Sequence, residues 1–164
     1  MNASVPPRPF WQRRVRDPLL ALLTQGITPD KLALTFAAGI ACSLFPFLGT
    51  TTTLNLAVGA WLRLNHPLLQ SLNYLLTPVH LAMILVYVRL GEWLWRAQDD
   101  HFSIAEMLRG FQETSLGDFL HRFGRAGIHA FSGWMLTTPF LMAALYFGLR
   151  PALRRLASKS TAGT

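Results

Sequence analysis

Three long stretches of this chain contain no charged side chain. They cover 31 positions between Lys31 and Arg63, 25 between Arg63 and Arg89, and 24 between Arg125 and Arg150. Only 14% of all residues are charged, whereas a soluble domain carries about a quarter. A bilayer core is crossed by roughly 20 apolar residues of helix, so each uncharged run is long enough. The deficit argues against an ordinary soluble domain and for an integral membrane protein. Cysteine is nearly missing too. Cys42 is the single one, which excludes an internal disulfide and a cysteine metal cluster. It reads as a small apolar helix residue. No phosphate loop, nucleophile elbow or HExxH zinc pattern occurs. The carboxylates lie outside the uncharged runs, which leaves no acid–base pair for an enzyme in a membrane core. A non-enzyme without cofactor or metal is expected. Asp99-Asp100-His101 reads as a solvated turn, because three adjacent ligands do not converge easily on one ion.

Acid is scarcer than base: eight Asp and Glu stand against 15 Lys and Arg, a formal net charge of +7. The placement of the excess argues against nucleic acid as the partner. Residues 1–31 hold five basic and two acidic side chains, and the tail 150–164 adds Arg150, Arg154, Arg155 and Lys159 without an acid. Both clusters flank apolar runs, where cytoplasmic loops concentrate Lys and Arg. Membrane lipids with anionic headgroups are the expected partners, and both termini are expected on the cytoplasmic side. The N-terminus carries only a short apolar patch, Leu19 to Leu23, with no small-residue cleavage site, and is not read as a cleavable signal.

What is present is a series of interrupted apolar helices. From Phe10, the positions Trp11, Val15, Leu19 and Leu22 form one stripe beside Arg13, Arg14 and Arg16, the pattern of an interfacial helix. Thr28-Pro29-Asp30 opens the next helix with a cap, a first-turn proline and an acid at the positive end of the dipole. It runs to about Leu44, roughly 24 Å at 1.5 Å per residue, short of the roughly 30 Å hydrocarbon core. Phe45-Pro46-Phe47-Leu48-Gly49 interrupts it, and a second short piece runs from about Thr51 to Leu64. A single kinked helix over 30–64 would reach about 50 Å. A re-entrant hairpin, with Lys31 and Arg63 on one side, fits the length better, and its tip backbone would need protein or water around it.

The second run carries a break at Thr77-Pro78 and exits at Arg89, Trp93, Trp95 and Arg96. Residues 97–125 hold most of the acids and a capping-box pattern, Ser103 to Glu106, and read as two short amphipathic surface helices. The third run, 126–149, contains Thr137-Thr138-Pro139. It echoes the first: Ala38-Gly39-Ile40 and Ala126-Gly127-Ile128 both precede a Thr-Thr pair and a closing Leu-Arg. An internal structural repeat and a shared apolar composition both produce such an echo. The fold class expected is therefore all-α: one membrane helical bundle over 1–164, with broken or re-entrant helices plus interfacial amphipathic helices. Its segments are 1–25 (interfacial), 26–96 (core), 97–125 (amphipathic), 126–149 (third apolar run) and 150–164 (basic tail).

Residues 26–95 resemble the bacterial membrane-protein family known as domain of unknown function twenty sixty-two. The resemblance rests on Thr28-Pro29, Ala37-Ala38-Gly39, the tip Pro46 and Gly49, Arg63-Leu64-Asn65, Thr77-Pro78 and Gly91. Two positions depart from the family pattern: Thr51-Thr52 replaces a frequent Gln-Thr, and Thr77-Pro78 replaces Asn-Pro. The resemblance implies a bacterial inner-membrane location and a fold, but no reaction.

The candidate ligand-binding set is Pro46, Gly49, Thr50, Thr51, Thr52, Thr53, Asn55, Thr77, Pro78 and His80. Free N–H groups of a half-helix N-terminus beside threonine hydroxyls suit a solute anion or a phosphate headgroup. Equally, the threonines serve as caps for the returning arm and partners for the broken backbone. His80 and His129, inside apolar runs, read either as functional ionisable groups or as neutral imidazoles bonded across helices. His66 and His121 read as interfacial. Gly39, Ala37, Ala38, Gly59, Ala57 and Ala60 are expected to pack the hairpin arms. Transport of a small solute or lipid headgroup, by a homo-oligomer because one chain has few helices, is one expected function. A scaffold or accessory subunit for an envelope enzyme, docking through 97–125, is the other.

Overall fold

The computed structural model describes residues 27–96 and 116–161 together with Ala105 and Arg109, and within the last helix side chains over 124–158. The interfacial helix expected from Phe10, the turn Asp99–His101, the capping box Ser103–Glu106 and the His121 side chain lie outside the described residues. Among the described residues there are four α-helices and no strand: α1 (Pro29–Ser43), α2 (Thr51–Trp61), α3 (His66–Trp95) and α4 (Leu116–Thr161).

Local chemistry sets the element ends. The Thr28 hydroxyl accepts from the Lys31 N–H at 3.2 Å, and Pro29 occupies the first turn, where its missing N–H costs nothing. α1 stops at Ser43, three residues before Pro46, whose missing N–H and ring disfavour a further helical turn there. The turn back needs a left-handed residue, and Gly49 supplies it at φ +81°. α2 closes on a left-handed Arg63, with Arg63 N–H on the Ala60 carbonyl and Leu64 N–H on the Gly59 carbonyl, the pattern that serves the last orphan carbonyls. Asn65 then caps α3, its Oδ1 accepting from the Leu68 N–H at 2.9 Å.

The hairpin expected at Pro46–Gly49 is present, with arms of 15 and 11 residues. The breaks expected at Thr77-Pro78 and Thr137–Pro139 are not. α3 runs through Pro78 and α4 through Pro139 and Pro151. The Thr77 hydroxyl donates to the Asn73 carbonyl, and the Thr137 hydroxyl to the Gly133 and Trp134 carbonyls, so both threonines bond back within their own helices. Membrane helices tolerate such prolines where packed neighbouring helices hold the turn in place. The echo between 38–63 and 126–150 is consequently not a structural repeat, since one segment turns back and the other is a single helix. The boundaries drawn at 125 and 149 also fall inside one continuous helix of 46 residues.

α3 and α4 lie antiparallel. A Cβ built on Gly91 would overlap the His129 backbone, and one on Gly133 the Tyr87 carbonyl. Ala57 and Ala60, expected between the hairpin arms, are exposed. Gly39 and Gly59 instead receive Leu69 of α3, because α3 is the larger apolar surface within reach of both arms. The hairpin packs along α3 and α4 through three apolar clusters. Leu32, Ala33 and Leu153 lie near its mouth, Ala38, Leu64 and Leu69 in the middle, and Leu44, Ile84, Tyr87, Val88 and Ala130 at its tip. Trp134 of α4 donates its indole N–H to the Ala41 carbonyl at 3.0 Å, and Phe45 meets the same ring edge-on. At the mouth, Asp30 accepts from Arg150 at 2.7 Å and from Arg154 at 2.8 Å. The hydrogen bonds from Arg154 and then Arg150 hold the Asp30 carboxyl down at about 2.

Ala in place of Gly91 or Gly133 is expected to lower stability by about 1–3 kcal/mol. Gly148→Ala, where a Cβ meets nothing, is expected to raise stability by up to about 1 kcal/mol through helix propensity; denaturant titration of the purified protein checks both. The stability that Asp30 contributes should be complete above about pH 4 and lost as the pH falls toward 2, since the folded-state value lies below the unfolded one. The stability difference between wild type and Asp30→Asn, followed against pH, should close over that window.

Candidate functional site

The tip and the first turns of α2 gather polar side chains into an apolar interior. Asn55 is fully buried and Thr51, Ser43 and Asn73 nearly so. The Asn55 amide donates to the Ser43 hydroxyl at 3.2 Å and to the Thr51 carbonyl at 3.0 Å. One helix away, the Asn73 amide donates to the Thr52 hydroxyl at 3.1 Å. These bonds join α1 to α2 and α2 to α3 at one level. Two spacings build this arrangement. Thr51, Thr52 and Asn55 lie within one turn and a residue of each other on α2, and Thr52 points toward the α3 face that carries Asn73.

His80 lies on that same face of α3, seven residues beyond Asn73, and is buried. Its ring meets the backbone of Phe45 in the tip, while its Nε2 and the Asn55 Oδ1 have no protein partner. Buried polar atoms are paired in the great majority of cases, so these two mark places able to bond something further.

The ten candidate residues therefore separate. Thr51, Thr52, Asn55 and His80 face the interior at the hairpin. Pro46 is buried and shapes the turn, while Gly49, Thr50 and Thr53 are exposed at it. Thr50 precedes α2 without capping it; its hydroxyl donates back to the Phe47 carbonyl at 2.9 Å. Of the two structural roles expected of the threonines, Thr50 therefore serves the turn backbone rather than capping α2. Thr77 and Pro78 are exposed on α3, with the Thr77 hydroxyl committed to its own helix. His129 stands apart at the Gly91 crossing. Ser43 and Asn73 were not among the expected site residues. The signal for Asn73 was its spacing of seven from His80 inside an uncharged run, which a helix break at Pro78 conceals. Ser43 gave no such signal, because only the turn brings it to Asn55. Among the described residues, no group of three His, Cys, Asp or Glu side chains is placed to hold a metal ion.

The chain belongs to a bacterial family described as an uncharacterised protein conserved in bacteria, DUF2062, whose family model matches residues 12–162. The match extends well past the segment 26–95 that carries the motif resemblance, and takes in α4. No curated protein and no solved structure matches the chain significantly.

The Asn73–Thr52 bond should couple α3 to the hairpin. A double-mutant cycle over Asn73→Leu and Thr52→Val is expected to return about 0.5–1.5 kcal/mol, measured as the non-additivity of unfolding free energies.

Proposed function

We propose that the protein is an integral inner-membrane protein of transporter-like build, in which α3 and α4 cross the bilayer and α1–α2 form a re-entrant hairpin. The observation that carries the membrane reading is apolar length without burial. α3 and the 124–158 part of α4 are long and apolar enough to span, yet only 28% and 11% of their most apolar windows are buried inside the fold. A core helix of a soluble protein would be mostly covered. Here Leu75, Phe140 and Phe147 stand well exposed, as lipid-facing side chains do. Trp93 and Trp95, exposed at the end of α3, sit where aromatic anchors meet headgroups.

Charge gives the orientation. The segments that lead to the Asp30–Arg150 end carry ten of the 15 Lys and Arg, and the segment from Arg89 to Arg125 carries five together with six of the eight acids. The positive-inside rule then places both termini and the hairpin mouth in the cytoplasm. In this frame the tip lies at membrane depth, where exposed Gly49, Thr50 and Thr53 would need water or protein around them. A second copy of the chain is the cover we favour, so that several tips would line one pathway for a small solute or a lipid headgroup. A scaffold role is the second reading. It is favoured by the loss of two of the three expected breaks, since Thr77 and Thr137 spend their hydroxyls on their own helices.

Reporter fusions after residue 164 and within 97–115 should report opposite sides of the membrane, and reports from the same side would exclude the two-span topology. In proteoliposomes, Thr50→Val with Thr53→Val should abolish uptake of whichever solute the wild type carries while leaving protein amount and oligomer size unchanged. Unaltered uptake, or none in the wild type over a broad solute panel, would favour the scaffold.

A further inference from the structure

α3 carries a polar stripe that the tip cluster only samples. His66, Gln70, Asn73, Thr77 and His80 follow one another at intervals of four, three, four and three residues, which keeps them on one helical face. From His66 to His80 is fourteen residues of helix, about 21 Å along the axis. The first part of the stripe faces α2: the His66 ring packs on Gly59, and Asn73 bonds Thr52. Gln70 lies between them on the stripe. Beyond the start of α2 the stripe meets the tip at Phe45 and emerges at the exposed Thr77.

This contact is polar but not self-sufficient. Among the described residues eight buried side-chain atoms lack a partner: His66 Nδ1 and both amide atoms of Gln70 lie on this stripe, and Asn55 Oδ1 and His80 Nε2 lie at its inner end, at the α1–α2 contact and the tip. Interiors leave few polar atoms unpaired, and an amide between membrane helices ordinarily bonds across the contact, as Asn73 does to Thr52, whereas the Gln70 amide does not. We propose that the α2–α3 seam is a hydrated path from the cytoplasmic mouth to the hairpin tip, taking water and small uncharged hydrogen-bonding solutes. It rests on the membrane reading above and names the solute class that reading left open. The class follows from charge. The runs 32–62 and 64–88 contain no Asp, Glu, Lys or Arg, so the seam offers no counter-charge, and a bare ion in such surroundings is strongly disfavoured. Amides, imidazoles and hydroxyls replace the hydrogen bonds of a neutral solute without that penalty.

The test uses the full chain in native membranes with Cys42→Ser as background and single cysteines at Gln70, His80, Leu75 and Arg155. N-ethylmaleimide is the neutral probe and a sulfonate-bearing thiosulfonate the anionic one, each rate normalised to Arg155→Cys at the water-exposed end. Alkylation needs the thiolate, which forms in water and is suppressed in lipid. With the maleimide, Gln70→Cys is expected to react at least about tenfold faster than Leu75→Cys, His80→Cys more slowly than Gln70→Cys but still faster than Leu75→Cys, and Gln70→Cys to be nearly inert to the sulfonate reagent. Gln70 is the main reporter because its amide bonds no protein group, so its removal leaves the fold intact. Gln70→Cys as slow as Leu75→Cys would overturn the path while leaving the membrane reading standing. Leu75→Cys as fast as Arg155→Cys would overturn both. A sulfonate rate equal to the maleimide rate would overturn the restriction to uncharged solutes.

Discussion

Two glycines let α3 and α4 meet backbone to backbone, and the rest of the fold is arranged on that contact. At Gly91 the His129 backbone fills the space of a side chain, and at Gly133 the Tyr87 carbonyl does. Close approach brings Tyr87, Val88 and Ala130 into one cluster with Leu44 and Ile84, which is the surface that receives the hairpin tip. Farther along α4, Met142, Tyr146, Leu149 and Leu153 receive the body and mouth of the hairpin. The hairpin is thus held at its mouth by the Asp30 carboxylate and at its tip by Trp134.

The hairpin places polar groups where the charge pattern forbids ions. Its arms are too short to span a bilayer, and its turn brings Ser43, Thr51, Thr52 and Asn55 to one level against Asn73. Most of these groups satisfy each other, which ties three helices together. The remainder on α3, from His66 to His80, includes atoms with no protein partner. The structural role belongs to the atoms that already have a protein partner, and the proposed path rests on those that do not.

Much of this was legible from residue order. Pro46 with Gly49, flanked by arms each shorter than the bilayer core, implied a hairpin, because length and backbone geometry are local properties. Thr28-Pro29 and Asn65 read correctly as helix openings for the same reason. Thr77-Pro78 and Thr137–Pro139 misled because a proline inside a long apolar helix need not break it when neighbouring helices hold the turn, and α3 and α4 run through both. Treating Pro78 as a break also reset the helical register, which hid the stripe from His66 to His80. Ala57 and Ala60 were expected in a packed interface and are exposed, since composition does not say which face a neighbour will cover.

The sequence by itself determined the uncharged runs, the turn, the caps and the membership of the family, all of which depend on residues near one another in the chain. Only the tertiary structure decided that Gly91 and Gly133 are the points of closest approach, that Asn55 meets Ser43, and that Asn73 meets Thr52. Those pairings join residues on different helices. They depend on how far each helix reaches and which face it turns inward, and these are set by the balance of packing over the whole chain rather than by any local pattern.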